Sequence, residues 1–341
     1  MKQVQRLIVG VMLSLFILVP LLIWSLTRIP FIPLNIGDDE SYEVQSGDNL
    51  YGLIDDLHER GYFNCRLCMR WYVRFAPHPD LVPGEYELTE GVSFSEFVDT
   101  LSQQGVMEYK ITFVEGWNVK TALNKLWKQK GIERTLQSAD PKQVFKQLGF
   151  LERYTTHQHV EGLFFPATYV FTKGTTDIEI LKQAHNKLLS VLDEAWENRA
   201  PGLPYKDPYE ALIMASIIEK ETGVAGERDK VAGVFVRRLA KGMMLQTDPT
   251  VIYGMGDAYQ GSITRTALRD KNAYNTYVIN GLPPTPIALA GEESIKAALN
   301  PASGTSLYFV ATGKGGHTFS DTLDEHNEAV ARYRRVIQAK E

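Results

Sequence analysis

Two glutamates set two positions apart, in the run Ala215-Ser216-Ile217-Ile218-Glu219-Lys220-Glu221-Thr222, are suited to moving a proton. A carboxylic acid donates and then retrieves a proton efficiently when its surroundings hold its pKa near the working pH. On a helix the two side chains point about 160° apart, so they cannot share one cleft. Glu221 falls within about 60° of Met214, Ile217 and Ile218, whereas Glu219 lies beside Leu212, Ala215 and Ser216. Glu221 is therefore expected on the stripe richest in bulky apolar groups, in the last helical turn. Desolvation and the helix dipole would both keep it protonated. Its alternative is one more charge in a solvated helix end with Lys220, Glu227, Arg228, Asp229 and Lys230.

Other reactive types are less well placed. His317 and His326 invite a metal reading with Asp321 or Glu325, but their spacing matches no familiar zinc signature, and polar loop residues are the preferred reading. Cys65 and Cys68 are the only cysteines. One pair cannot complete a four-ligand zinc site by itself, and without a redox-motif context they read as two ordinary helical cysteines. Gly313-Lys314-Gly315-Gly316 lacks the spacing of a phosphate loop.

The element that must carry Glu221 is marked at both ends. Asp207 supplies an N-cap, Pro208 the first helical position and Glu210 a capping-box-like third; Gly223 is the expected stop, so the spacing predicts one helix over 208–222. Around it the pattern predicts a mixed domain over 106–341. Its strands fall near 109–114 and 307–312, and its helices near 119–130, 141–148, 177–198 and 323–340. Upstream, residues 41–105 read as a small α+β subdomain, with a strand at Tyr42-Glu43-Val44 and helices over 50–61 and 65–75. Pro30, Pro33, Gly37 and three acidic residues make 29–40 a linker.

Leu7 to Leu26 runs without a charge for about the 20 residues that cross a hydrocarbon layer. No small-x-small cleavage site follows, so the segment reads as a single-pass anchor over 1–28. Lys2 and Arg6 precede it, which puts the N-terminus in the cytoplasm and everything after Arg28 outside the inner membrane, in the periplasm. A net charge of -5 argues against a nucleic-acid partner.

The glutamate motif, with Glu227-Arg228 and then Leu245-Gln246-Thr247-Asp248-Pro249-Thr250-Val251-Ile252-Tyr253-Gly254, resembles the endolytic murein transglycosylases of the MltG/YceG family. The likeness continues through Tyr274-Asn275-Thr276-Tyr277, Gly281-Leu282-Pro283-Pro284 and Gly315-Gly316-His317-Thr318-Phe319-Ser320, and upstream through Glu161-Gly162-Leu163-Phe164-Phe165-Pro166. It covers nearly the whole chain. Residues 42–54 also resemble the opening of a LysM module, so an α+β chain is expected: an anchor helix, a LysM-like subdomain and a YceG-like catalytic domain.

The resemblance implies a peptidoglycan lytic transglycosylase with Glu221 as acid and base. It would cut the MurNAc-GlcNAc β-1,4 bond of nascent glycan strands to leave 1,6-anhydro ends, without metal or organic cofactor and beside peptidoglycan synthases. Gln246, Asp248, Asn275 and Tyr277 are the candidates for holding sugar hydroxyl and acetamido groups. Asp248 could equally be a turn residue or a second catalytic carboxylate, and Asn275 a structural amide. The alternative is a non-catalytic peptidoglycan-binding scaffold. Ala167, Arg237 and Thr285 depart from the family's usual residues, at positions that would tune subsites.

Overall fold

The computed structural model describes residues 2–37, 40–78, 80–101, 105–149 and 158–339. The chain forms two compact units, Met1–Tyr109 with Phe171–Gly174, and Lys110–Val170 with Thr175–Glu341.

The first unit opens with helix α1 (Lys2–Arg28), which holds the uncharged run. Among the described residues no helix is long and apolar enough to cross a membrane; the side chains at 2–9, 11, 13, 14 and 22 lie outside them. The expected linker is in large part folded. Pro30 and Leu34 are buried, Leu34 N donates to Val92 O at 2.8 Å and Asn35 N to Tyr62 O at 2.9 Å. An apolar residue in a short connection packs when a groove lies within reach, and Leu34 has joined the core.

Next come β1 (Glu40–Val44), α2 (Leu50–Glu59), α3 (Arg66–Phe75), β2 (Gly84–Leu88) and α4 (Phe94–Thr100). β1 and β2 are antiparallel, with Glu40 opposite Leu88 and Val44 opposite Gly84. Their alternation turns Tyr42, Val44, Tyr86 and Leu88 onto Leu53, Leu57 and Phe97. Cys65 and Cys68 depart from expectation: they are bonded to each other, with Cα atoms 5.3 Å apart. Cys65 is the N-cap of α3, so the first turn folds its sulfur back toward Cys68.

The chain then runs through β3 (Glu108–Thr112), α5 (Val119–Leu126), α6 (Pro141–Leu148), β4 (Thr168–Thr172) and α7 (Asp177–Glu197). β3 pairs with β4. α8 (Pro208–Glu221), α9 (Arg228–Ala240), α10 (Asp248–Met255) and α11 (Glu292–Leu299) follow, then β5 (Tyr308–Ala311), β6 (His317–Ser320) and α12 (Leu323–Gln338). β5 and β6 form an antiparallel hairpin around the glycine turn.

α8 is the axis of the second unit. It packs against α7, α9, α10 and α11, and every residue from Tyr209 to Ile218 except Glu210 is buried. The stripe expected to be richest in bulky apolar groups is thus one part of a helix buried all round, as happens to a helix enclosed by neighbours. Each of Leu212, Ile213, Met214, Ile217 and Ile218 adds roughly 1.5–3 kcal/mol of burial, which makes α8 a rigid post for its last turn.

Candidate active site

Asp207 starts the post as expected, accepting Glu210 N at 2.9 Å with Pro208 in the first turn. Its end differs. Thr222, not Gly223, stops the helix by turning extended, and its hydroxyl accepts Val224 N at 3.0 Å. Gly223 does not take up the left-handed backbone of a glycine cap.

The two glutamates diverge as their spacing requires. Glu219 accepts Gly291 N at 3.0 Å, at the N-terminus of α11. Glu221 Oε1 accepts the hydroxyl of Thr247 from another side. Burial pushes the Glu221 carboxyl up; the Thr247 hydrogen bond opposes this, the nearby charge of Asp248 adds to it, and His317 works against it. Glu221 as a residue is half-buried. What results is an acid that keeps its proton to higher pH than an ordinary glutamate, with one oxygen fixed by a hydroxyl donor.

Thr247 is itself held through its backbone. Its N–H donates to Thr276 Oγ1 at 3.0 Å and its carbonyl accepts Thr250 Oγ1 at 2.8 Å, while its neighbour Gln246 donates its N–H to Thr276 O at 3.1 Å. Gln246 has φ 52°, a left-handed backbone that a non-glycine residue adopts only under constraint. Arg238 helps impose it, donating to Leu245 O at 2.7 Å and to Gln246 Oε1 at 3.1 Å.

The remaining expected site residues separate into two groups. Asp248 opens α10, is exposed, and accepts Tyr277 OH at 2.6 Å, so these two stand together beside Glu221. Gln246 is exposed next to them. Asn275 is buried instead, its amide donating to the carbonyls of Ala267, Leu268 and Asp270, at 2.8 Å for the last. That geometry is the structural-amide alternative.

The two histidines go to different partners. His317 places Nδ1 2.8 Å from Glu227 Oε2 and donates its backbone N–H to Glu227 Oε1 at 2.9 Å. Burial works to raise Glu227, but the bonds and charge of His317 outweigh it and hold that carboxyl low. His326 stacks on Tyr308 at 5.2 Å.

Sequence reasoning gave no role to Thr247, to the Glu227–His317 pair or to Glu161. All lie inside the quoted motifs, which was the available signal. Glu161 is 1% exposed; it accepts Val119 N at 2.9 Å and Tyr253 OH at 3.0 Å, tying the start of α5 to α10. Burial pushes its carboxyl up to about 7. Gly162 beside it has φ 74°, and a Cβ there would sit 2.4 Å from Pro286 Cβ.

Known proteins resemble this chain over most of its length. The Endolytic murein transglycosylase of Bacillus subtilis is 30% identical over 311 residues, covering 85% of this chain and 83% of that one. The protein of the same name from Streptococcus pneumoniae D39 is 24% identical, and the match spans 57% of its length. A crystal structure of a protein described as yceG-like, from Listeria monocytogenes, superposes with a TM-score of 0.52 at 28% identity, covering 85% of this chain and 98% of that one. A model of the YceG-like family matches residues 42–332, a span that takes in Glu161, Glu221, Thr247 and His317, and the chain belongs to that family.

Proposed function

We propose that this chain is an endolytic peptidoglycan lytic transglycosylase. The observation that carries the reading is Glu221: a half-buried residue whose carboxyl is raised in pKa and fixed at one oxygen by Thr247, in a family whose curated relatives are named endolytic murein transglycosylases. Because Oε1 is occupied by the Thr247 hydroxyl, Oε2 is the oxygen to carry the transferable proton. It would protonate the glycosidic oxygen of the MurNAc-GlcNAc β-1,4 link, and the carboxylate would then take the proton from the muramic C6 hydroxyl as that oxygen attacks C1. The C1–O bond to the leaving sugar breaks, a C1–O6 bond forms, and the proton returns to Glu221; no water enters.

Asp248 favours a second reading. It is an exposed carboxylate close enough to influence Glu221, and could instead activate a water, making a hydrolase. Digestion of long glycan strands in heavy-oxygen water separates the two. Unlabelled 1,6-anhydro ends on fragments of intermediate length support the transglycosylase, and labelled reducing ends support the hydrolase.

The same reading puts the chain on nascent strands at the outer face of the inner membrane, beside peptidoglycan synthases, with the run Leu7–Leu26 as its anchor. The Cys65–Cys68 bond is in keeping with an oxidising compartment. The order strand-helix-helix-strand over Glu40–Leu88 supports a LysM-like, glycan-binding role for the first unit.

A further inference from the structure

α3 is apolar on two faces. Met69 and Val73 pack into the core, as half of a surface helix should. Leu67, Trp71 and Phe75, one turn apart along the other side, are 69%, 63% and 69% exposed, with Trp71 and Phe75 stacked at 5.2 Å. Beside them Phe31 is 57% exposed. A helix washed by water would place polar side chains there, and contiguous apolar surface of this kind marks a contact. The arginines of α3 run along one flank: Arg66 and Arg70 both bind Asp55, and Arg74 follows one turn on.

What covers this face is indicated by its other wall. The groove of about 860 Å³ in front of Trp71 and Phe75 is closed by Ile23 and Leu26 from the last turns of α1. At about 1.5 Å per residue the uncharged run ending at Leu26 is roughly as long as a hydrocarbon layer is thick, so Leu26 falls at the layer's edge. Arg28 lies over Trp24, 5.4 Å from its ring, an aromatic and basic pairing of the kind that sits at lipid headgroup level.

We infer that the exposed face of α3 lies in the outer boundary of the membrane, with lipid acyl chains filling the groove between α3 and α1. The first unit is then seated on the bilayer, not hung from it by a free tether. This rests on the anchor reading above. It goes beyond it in giving α3 an amphipathic, in-plane contact of its own, apolar side chains down and arginines beside the headgroups.

The test uses the full chain in vesicles of phosphatidylethanolamine and phosphatidylglycerol. A photoreactive benzophenone side chain replaces Phe16 of α1, Leu67, Phe75, or the exposed Glu59 of α2, one at a time. All four are exposed, so no core contact is lost, and Leu67 and Phe75 report independently. Lipid adducts at Phe16, Leu67 and Phe75, roughly tenfold above those at Glu59, are expected. Adducts at Phe16 with Leu67 and Phe75 no higher than Glu59, or linked to protein instead of lipid, overturn the seated face and leave the anchor standing. No lipid adduct at Phe16 overturns the anchor and the seated face with it.

Discussion

Glu221 and Glu161 are both glutamates whose acidity burial suppresses, and they sit in the same unit, yet their surroundings differ in kind. Glu161 is sealed, with Val119 N on one oxygen and Tyr253 OH on the other. Glu221 is only partly enclosed, with a hydroxyl on one oxygen and an exposed carboxylate nearby. A raised pKa stores a proton in both places, but only an accessible one can be delivered to a bond. Suppressed acidity alone does not single out a catalytic group; suppressed acidity with access makes a candidate.

The largest effect is expected at Glu221. Glu221→Gln is expected to lower glycan cleavage by on the order of 10³-fold with little change in Tm, since the amide keeps the shape but cannot cycle a proton. Muropeptide analysis and a thermal scan check it. Retained activity would remove Glu221 from the role of acid and base.

Thr247→Val tests the fixed oxygen. The hydrogen bond lowers the Glu221 pKa, so its loss should move the limb that reports Glu221 to higher pH, while the carboxyl freed from its fixed position should cost roughly tenfold on the plateau. Thr247→Ser should restore the profile. A uniform loss at every pH would instead indicate a packing role.

Glu219→Gln sharpens the contrast between neighbours. Glu219 faces Gly291, so a loss in kcat/KM of about tenfold or less is expected, with a small fall in Tm. Loss equal to that of Glu221→Gln would mean that the two act as one unit.

The smallest effect on activity belongs to Glu161→Gln, within about threefold, because the amide can accept from Val119 N and donate to Tyr253 OH. Its effect on stability depends on pH. Glu161 rises from 4.5 to about 7 on folding, so its protonated form favours the native state below pH 4.5, and that advantage is lost as pH climbs through 7. The glutamine variant avoids this loss. Its Tm relative to the parent should therefore rise between pH 5 and pH 8, by the equivalent of a few kcal/mol at most. A difference flat with pH would show that Glu161 titrates normally in the fold.

What was legible in the chain is what neighbours in sequence decide. The cap at Asp207 and the opposed directions of Glu219 and Glu221 follow from spacing and local hydrogen bonds, and both are found. α6 was legible to the residue because Asp140-Pro141 starts it and Gly149, at φ 62°, ends it. The environment of α8 was not, since what encloses it includes α11, about eighty residues on. Thr247 was passed over for the same reason: its hydroxyl acquires meaning only when Thr276 and Gln246 set its direction toward a carboxyl 26 positions away. The Glu227–His317 pair, 90 positions apart, carries no local signature. Asn275 was read by its chemistry, but the carbonyls of Ala267, Leu268 and Asp270 had already claimed its amide.

Gly162 bears on mutational tolerance. Its backbone turn is strained for any side chain, and Pro286 already occupies the space a methyl group would need. In a saturation library position 162 should therefore be nearly as silent as position 221, with the two distinguished by immunoblot. Cells carrying substitutions at 221 would hold ample inactive protein, while those altered at 162 would hold little protein at all.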